Sequence, residues 1–155
     1  MRAPILLTPA AKDYLWGGSR LNDNFNFGIP VYPFAEAWVC SPHPDGVSQV
    51  PSCSASLVEF LEKDPSVLGS HVLQTTAGKA ELPILIKLID AKTDISVQVH
   101  PDDAYAMRVE QSRGKTECWY ILDAKPGARL IYGFKGMWMN RKLKLPLLMG
   151  QSWAY

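Results

Sequence analysis

Three polar side chains that can serve as metal ligands or substrate contacts are spaced two residues apart in an alternating segment. They are Ser96, Gln98 and His100, and the residues between them are valines. In a β-strand, side chains two residues apart point to the same face of the sheet. The valines therefore form a face that can pack on a core. The polar groups form the opposite face, which must meet water, a ligand or a metal ion.

A second pair with the same spacing, Lys115 and Glu117, follows further along the chain. Placed on neighbouring strands of a small barrel, the two sets surround one cavity with an imidazole, a carboxamide oxygen, a carboxylate and an ammonium group. Mixed nitrogen and oxygen donors with a vacant position are typical of catalytic rather than structural zinc. Each residue also has an ordinary explanation, since His100 precedes a proline and an isolated Glu117 is typical of a solvated strand edge. The spacing alone therefore predicts no more than a metal-binding β-barrel.

Short strands must position these residues. The apolar and alternating patterns predict strands over residues 35–40, 83–90, 95–100, 117–122 and 129–134, the last as a hairpin partner. Turns are predicted over residues 42–48 and 125–128, where Pro, Asp and Gly concentrate. Consecutive strands separated by such turns favour an antiparallel barrel or sandwich.

Two helices are predicted beside the strands. Ser56 and Glu59 form a capping-box pattern, and the helix that follows should end near Asp64 because Pro65 disfavours helical geometry in the residue before it. Residues 102 and 103 are both aspartates, which favour the start of a second helix over residues 104–110. That role is the better explanation of the aspartates than metal binding.

The composition restricts the class of protein. The chain has 155 residues, of which 47% are hydrophobic and 20% charged, with a net charge of +1. These values favour one globular domain and give no indication of a nucleic-acid or membrane partner. The cysteines, Cys40, Cys53 and Cys118, are odd in number and lack metal-site spacing. Reduced thiols and a cytoplasmic location are therefore expected.

Two further residues have alternative interpretations. Trp16 precedes a pair of glycines and either anchors the chain on the core or lines a pocket. Lys87 lies within an apolar strand segment, where its stem either carries the ammonium group to the surface or places it in a pocket.

Several motifs together resemble a known family. They are Trp16-Gly17-Gly18, Glu36-Ala37-Trp38, Ser41-Pro42-His43-Pro44-Asp45-Gly46, Lys87-Leu88-Ile89-Asp90-Ala91, Ser96-Val97-Gln98-Val99-His100-Pro101-Asp102-Asp103 and Gly114-Lys115-Thr116-Glu117-Cys118-Trp119-Tyr120. In this order they resemble the type I mannose-6-phosphate isomerases, and most closely the short bacterial form. The resemblance runs from about Leu6 to Phe134. It predicts a mainly β fold, an incomplete cupin jelly-roll barrel over residues 1–134 with loop and helix additions at the N-terminus.

The resemblance also implies a reaction and a site. Family members interconvert mannose 6-phosphate and fructose 6-phosphate through an enediol, and each chain binds one zinc ion. The matching ligand positions are Gln98, His100 and Glu117, and the matching active-site lysine is Lys115. Further contacts with the sugar phosphate, which is the expected partner, are assigned to Lys87, Ser96 and Trp16. The oligomeric state is not predicted.

The sequence departs from the family pattern after Phe134. The family places a fourth zinc ligand, a histidine, and an active-site arginine in later segments, whereas the histidines here are at positions 43, 71 and 100. Residues 135–155 carry lysines and an arginine but no acidic residue, and they are expected to be a divergent tail that a frameshift or early stop produced. Impaired isomerase activity is therefore expected. The rivals are a non-catalytic metal- or sugar-phosphate-binding cupin fragment and an iron-dependent cupin oxygenase, and the missing second histidine argues against the oxygenase.

Overall fold

The computed structural model describes residues 3–131 of the chain. The described residues divide into two compact units, with the boundary after residue 95. The described parts, residues 3–95 and 96–131, are called the N-terminal unit and the C-terminal unit below. The tail predicted for residues 135–155 lies outside the described residues.

A three-stranded antiparallel sheet organises the N-terminal unit. Its strands are β1 (Ala10–Lys12), β2 (Glu36–Cys40) and β5 (Ile86–Ile89), with β2 in the centre. Trp38 pairs with Ala10 on one side and with Lys87 on the other. Because neighbours in register share a face, the central strand directs Glu36 and Trp38 to the same side as Lys87. The strands predicted over residues 35–40 and 83–90 are thereby confirmed, the second with shorter bounds.

The other face of the sheet packs on one of two hydrophobic clusters. Ala37 lies in this cluster with Leu21 and Phe34, each of which is at most 2% exposed. Leu21 comes from the short helix α1 (Arg20–Asp23). Alternation along β2 thus separates an apolar face that is buried on this cluster from a face that carries charged groups.

The second cluster lies where a two-stranded ribbon meets a group of helices. It contains the buried residues Val50, Leu57 and Leu61. The elements around it are β3 (Gln49–Val50), a 3-10 turn (Pro51–Cys53), β4 (Ala55–Ser56), α2 (Leu57–Lys63), a second 3-10 turn (Pro65–Leu68) and α3 (Gly69–Thr75).

Local signals in the N-terminal unit predict its turns and caps correctly. Helix α2 begins after Ser56, whose hydroxyl accepts from the Glu59 N–H, while the Glu59 carboxylate accepts from the Ser56 N–H. It ends at the Asp64 cap, before Pro65, as predicted. The turn predicted over residues 42–48 is also confirmed, since the Gly46 N–H donates to the His43 carbonyl at 2.9 Å. The buried Ser48 hydroxyl donates to the Trp38 carbonyl oxygen at 2.9 Å.

The glycine pair after Trp16 is required by close packing. A Cβ atom on Gly17 would lie 2.5 Å from the backbone Cα of Ala35. A Cβ atom on Gly18 would overlap a carboxylate oxygen of Asp90. That carboxylate is buried and accepts the Arg20 N–H at 2.8 Å, at the start of α1. The residues without side chains therefore allow the chain to pass directly against the sheet.

The C-terminal unit contains one assigned helix within its described residues, α4 (Asp103–Val109). Asp102 caps it by accepting the Tyr105 N–H at 2.8 Å, which confirms the predicted helix start. The predicted turn over residues 125–128 is also present, with the Ala128 N–H bonded to the Lys125 carbonyl and Gly127 at φ +81°. This geometry, with Pro before Gly, is that of a type II turn.

The strands predicted over residues 95–100 and 117–122 are wrong for this structure. No strand is assigned to either segment, and Val97 and Val99, which were expected to pack on a core, are 69% and 54% exposed. A strand needs a hydrogen-bonded neighbour, and neither segment pairs with one inside residues 3–131. Residues 129–131 are likewise unassigned, and the rest of the predicted hairpin strand lies outside the described residues.

The described residues contain sheets and short helices, but they do not close a barrel. The jelly-roll assignment therefore stays a prediction. All three cysteines are free thiols, as expected. Across residues 3–131, no helix combines the length and the apolar character that crossing a membrane requires.

Candidate metal and substrate site

Backbone contacts at the start of α4 bring the two polar motifs of the C-terminal unit together. The Lys115 N–H donates to the Pro101 carbonyl at 3.2 Å, and the Gly114 N–H donates to the Asp103 carboxylate at 2.8 Å. A Cβ atom on Gly114 would lie 2.5 Å from the carbonyl carbon of Asp102, so a larger residue would push the segments apart. The glycine before Lys115 therefore permits the approach that places residues 115–117 beside residue 100.

His100, Glu117 and Lys115 form one cluster. His100 Nε2 lies 3.1 Å from one carboxylate oxygen of Glu117, and Lys115 Nζ lies 3.6 Å from the other. The three side chains are 21–25% exposed, so they are partly shielded and still accessible. The carboxylate therefore lies between an imidazole and an ammonium group. The two motifs meet, although the paired barrel strands on which the sequence argument placed them are not assigned here.

Gln98 and Ser96 form a second, more exposed contact in the same unit. Gln98 Nε2 donates to Ser96 Oγ at 3.2 Å, so the two side chains share a side of the extended segment, as predicted. Their neighbour His100 is the residue that contacts Glu117. Among residues 3–131 there is no group of three or more His, Cys, Asp or Glu side chains that could hold a metal ion.

The donor chemistry of the His100–Glu117 pair fits zinc. Ligand atoms about 2.1 Å from a tetrahedral zinc ion are about 3.4 Å from each other. The observed separation of 3.1 Å between Nε2 and Oε2 is close to that value. The pair therefore matches two adjacent positions of a mixed nitrogen and oxygen site, and Gln98 has an amide oxygen suited to a third.

In the N-terminal unit, Lys87 is held in a half-buried ion pair. Its ammonium nitrogen lies 3.2 Å and 3.4 Å from the two carboxylate oxygens of Glu36, and the Lys87 side chain is 17% exposed. Trp38 donates its indole N–H to the same carboxylate at 2.6 Å. Of the two sequence interpretations, the structure therefore favours a fixed inward position for the ammonium group over a free surface position.

Sequence reasoning missed the partners of Lys87. Glu36 and Trp38 entered only as parts of a family motif, although their spacing of two along a predicted strand places them on one face. The register that opposes Trp38 to Lys87 supplies the missing information. Lys12 also lies over the Trp38 indole ring, with its ammonium nitrogen 4.4 Å from the ring centroid. This cation–π contact connects β1 to the polar face of the sheet.

Trp16 is half-buried and stacks on Tyr14 with ring centroids 5.5 Å apart. Its carbonyl oxygen accepts N–H groups from Lys92 at 2.9 Å and Thr93 at 3.2 Å. Partial burial raises the pKa of Tyr14, and the charge of Glu36 adds to that effect. These contacts support the interpretation of Trp16 as an anchor, and its role towards substrate stays a prediction.

The model of the type I phosphomannose isomerase catalytic domain matches residues 5–120, which is most of the chain. The chain belongs to the type I phosphomannose isomerase family. Among its relatives, the mannose-6-phosphate isomerase of Streptococcus mutans is 34% identical over an alignment that covers 97% of this chain and 51% of the relative. The mannose-6-phosphate isomerase ManA of Bacillus subtilis is 38% identical, with 84% and 40% covered.

Solved structures of phosphomannose isomerases agree with this assignment. The mannose 6-phosphate isomerase from Bacillus subtilis superposes with a TM-score of 0.70 and 42% identity, covering 80% of this chain and 39% of that structure. The E264A mutant of the Salmonella typhimurium phosphomannose isomerase superposes with a TM-score of 0.54 and 29% identity, covering 66% of this chain and 26% of that structure. The chain thus spans about half or less of the length of the phosphomannose isomerases that it matches.

Proposed function

We propose that this chain supplies part of the zinc centre and substrate site of a cytoplasmic phosphomannose isomerase, which interconverts mannose 6-phosphate and fructose 6-phosphate. The observation that carries the proposal is the contact of His100, Glu117 and Lys115 in the C-terminal unit. An imidazole, a carboxylate and an ammonium group in contact suit both metal binding and the handling of negative charge. Family membership supplies the reaction.

The proposed zinc ligands are Gln98, His100 and Glu117. A bound zinc ion would act as a Lewis acid towards the oxygens of the open-chain sugar. His100 would present Nε2 to the ion, and Glu117 would present Oε2, the two atoms that already face each other at 3.1 Å. The second Glu117 oxygen contacts Lys115, which orients the carboxylate from outside the coordination sphere.

Lys115 is the proposed catalytic residue. Its Nζ is held 3.6 Å from Glu117 Oε1, so the ammonium group is kept beside the proposed metal site. At that place a positive charge stabilises negative charge that develops on a substrate oxygen during proton transfer between C1 and C2. Ser96 is a proposed substrate contact in the same unit, because its hydroxyl both donates and accepts hydrogen bonds.

Lys87 and Trp16 are the proposed substrate contacts of the N-terminal unit. The ion pair with Glu36 fixes the Lys87 ammonium group, and a fixed cation binds a phosphate or hydroxyl oxygen with less loss of side-chain entropy. Trp16 offers an aromatic surface of the kind that packs against sugar rings.

Metal binding by matched variants tests the proposed site. We expect the 155-residue chain to bind zinc, as measured by metal analysis after dialysis and by calorimetric titration. The variants His100→Ala and Glu117→Ala should each lose at least about tenfold in affinity, the effect typical of a lost ligand or its close partner. His71→Ala is the control, because His71 is exposed on α3. Equal zinc affinity in all three variants would contradict the assignment.

A second candidate is a non-catalytic fragment that binds metal or sugar phosphate. It is favoured by the site itself, in which His100 and Glu117 are the two proposed ligands in contact, whereas Gln98 bonds to Ser96. We expect little or no isomerase turnover from these 155 residues alone, because the proposed ligand set is one short of the family's. Robust turnover by protein of verified mass would contradict this expectation, and iron content with oxygen uptake would indicate the oxygenase instead.

A further inference from the structure

Two adjacent aspartates at the start of α4 make hydrogen bonds of different reach. Asp102 accepts the Tyr105 N–H at 2.8 Å, three residues along the chain, and so caps the helix. Asp103 accepts the Gly114 N–H at 2.8 Å, eleven residues along the chain and beyond the end of α4. A helix start therefore explains the contact of Asp102, whereas the contact of Asp103 joins two segments that the helix separates.

The Asp103 contact closes the base of the loop that separates the two parts of the candidate metal site. His100 lies before this loop and Glu117 after it, and their side chains meet at 3.1 Å. At the base, the Lys115 N–H also donates to the Pro101 carbonyl at 3.2 Å, so the Asp103 contact is a second attachment between the same two segments. Two attachments fix both the separation and the direction of the segments, whereas one leaves them free to pivot.

Apolar packing gives this arrangement little support. From residue 96 to residue 131, Ala106 is the one buried residue. The hydrogen bonds at the base of the loop therefore carry a larger share in holding the two parts of the site together. A bond to a carboxylate is among the stronger ones, because the acceptor is charged. A site that is held in its bound geometry before the ligand arrives loses less entropy on binding.

We propose that Asp103 is a positioning residue of the candidate metal site and that it holds the Gly114 segment so that His100 and Glu117 stay close enough to share one ion. Asp103 acts through the backbone, and its role is to hold the segment rather than to bind the metal. This inference rests on the proposed zinc site. Its structural part, the contact of His100 with Glu117, can be measured without metal.

Three single variants of the 155-residue chain separate the effects of the hydrogen bond, the charge and the helix cap. Asp103→Ala removes the acceptor, and zinc affinity by calorimetric titration should fall about three- to tenfold, the range for one lost hydrogen bond. Asp103→Asn removes the charge but keeps an amide oxygen that accepts the Gly114 N–H, so it should recover most of the affinity. Asp102→Ala removes an equal charge and the cap of α4, and it should bind zinc like the wild type.

Gly114→Ala opens the same contact from the other side. Its Cβ atom would lie 2.5 Å from the Asp102 carbonyl carbon and the Asp103 nitrogen, so the segments must separate although the carboxylate is kept. We expect the loss of zinc affinity to be at least as large as for Asp103→Ala.

Nuclear magnetic resonance of the metal-free chain measures the same effect on the structure. Asp103→Ala should weaken the nuclear Overhauser contact between the His100 ring and the Glu117 side chain. It should also speed exchange of the Gly114 amide at least about threefold and leave exchange in α4 unchanged. Asp102→Ala should do the reverse, with faster exchange in α4 and an unchanged contact at the site.

Each control can overturn the positioning role. Equal weakening of zinc binding by Asp103→Asn would mean that the charge acts and not the hydrogen bond, and equal weakening by Asp102→Ala would mean that the helix acts. An unchanged contact of His100 with Glu117 in Asp103→Ala would also overturn it. If His100→Ala binds zinc as tightly as the wild type, the proposed metal site fails instead, and the metal-free measurements still decide the role of Asp103.

Discussion

The two units differ in how many of the predicted strands pair and how many apolar side chains are buried. In residues 3–95, strands pair, two hydrophobic clusters form, and Phe34 and Val50 are fully buried. In residues 96–131, segments with equally strong strand patterns stay unpaired, and their apolar residues are exposed. Alternation therefore determines which side chains share a face, whereas a strand forms only where a neighbouring strand completes the hydrogen bonds.

Truncation of a core aromatic residue should give the largest difference between the units. Phe34→Ala removes a fully buried ring from the Leu21 cluster and should lower the free energy of unfolding by about 3–5 kcal/mol. Tyr120→Ala removes a ring that is 87% exposed in the C-terminal unit and should change it by less than about 0.5 kcal/mol. Urea titration followed by circular dichroism measures both, and similar losses would break the comparison.

The same contrast explains what the sequence could predict. Caps and turns depend on a few adjacent residues, so the Ser56 box, the Asp102 cap and the turn at Gly127 were predicted correctly. Within the candidate site, the spacing of Lys115 and Glu117 predicted that the two side chains lie on one side, because positions two apart in an extended chain share a face.

What the sequence could not predict depends on contacts between distant segments. The ion pair of Lys87 with Glu36 requires the register of β2 against β5, which no local pattern contains. The strand prediction for residues 95–100 was wrong for the related reason that strand pairing is a property of two segments.

Removal of the half-buried ion pair between Lys87 and Glu36 should give the second-largest loss of stability. Lys87→Met removes the cation from the Glu36 carboxylate, which is 6% exposed and still accepts the Trp38 indole N–H at 2.6 Å. We expect a loss of about 2–3 kcal/mol in the N-terminal unit, less than for a fully buried pair because Lys87 retains some contact with solvent. Adding Glu36→Gln should recover part of it, since the amide oxygen still accepts the indole N–H.

An exposed lysine provides the control for that measurement. Lys79→Met removes a pair with Glu81 at 3.8 Å, in which the lysine side chain is 71% exposed. Its effect should stay within about 0.5 kcal/mol, as for most surface pairs. If Lys79→Met and Lys87→Met lower the free energy of unfolding by the same amount, the ion pair on the polar face of the sheet is no more stabilising than an exposed pair.

The N-caps of the two units should respond differently to the same kind of change. Ser56→Ala removes the cap of α2, which packs on the second cluster, and should cost about 1 kcal/mol of global stability. Asp102→Ala removes the cap of α4, where Ala106 is the buried residue, and should loosen α4 locally without a comparable global loss. Amide exchange over residues 57–63 and 103–109 separates the two results, and a shared global loss would mean that α4 unfolds together with the core.

The smallest change in stability should come from Glu59, the second residue of the capping box at the start of α2. Hydrogen bonds from the Ser56 backbone and hydroxyl lower the pKa of Glu59 below its ordinary value. A carboxylate whose pKa is depressed on folding contributes stability above its unfolded pKa, and that contribution is lost as the pH falls through the folded pKa. The wild type should therefore be slightly more stable than Glu59→Gln at neutral pH, and the advantage should shrink below about pH 4. Glu62→Gln, at an exposed position on the same helix, should show no such convergence. Parallel stability curves for wild type and Glu59→Gln down to low pH would show that the box does not bind the ionised carboxylate in preference to the neutral one.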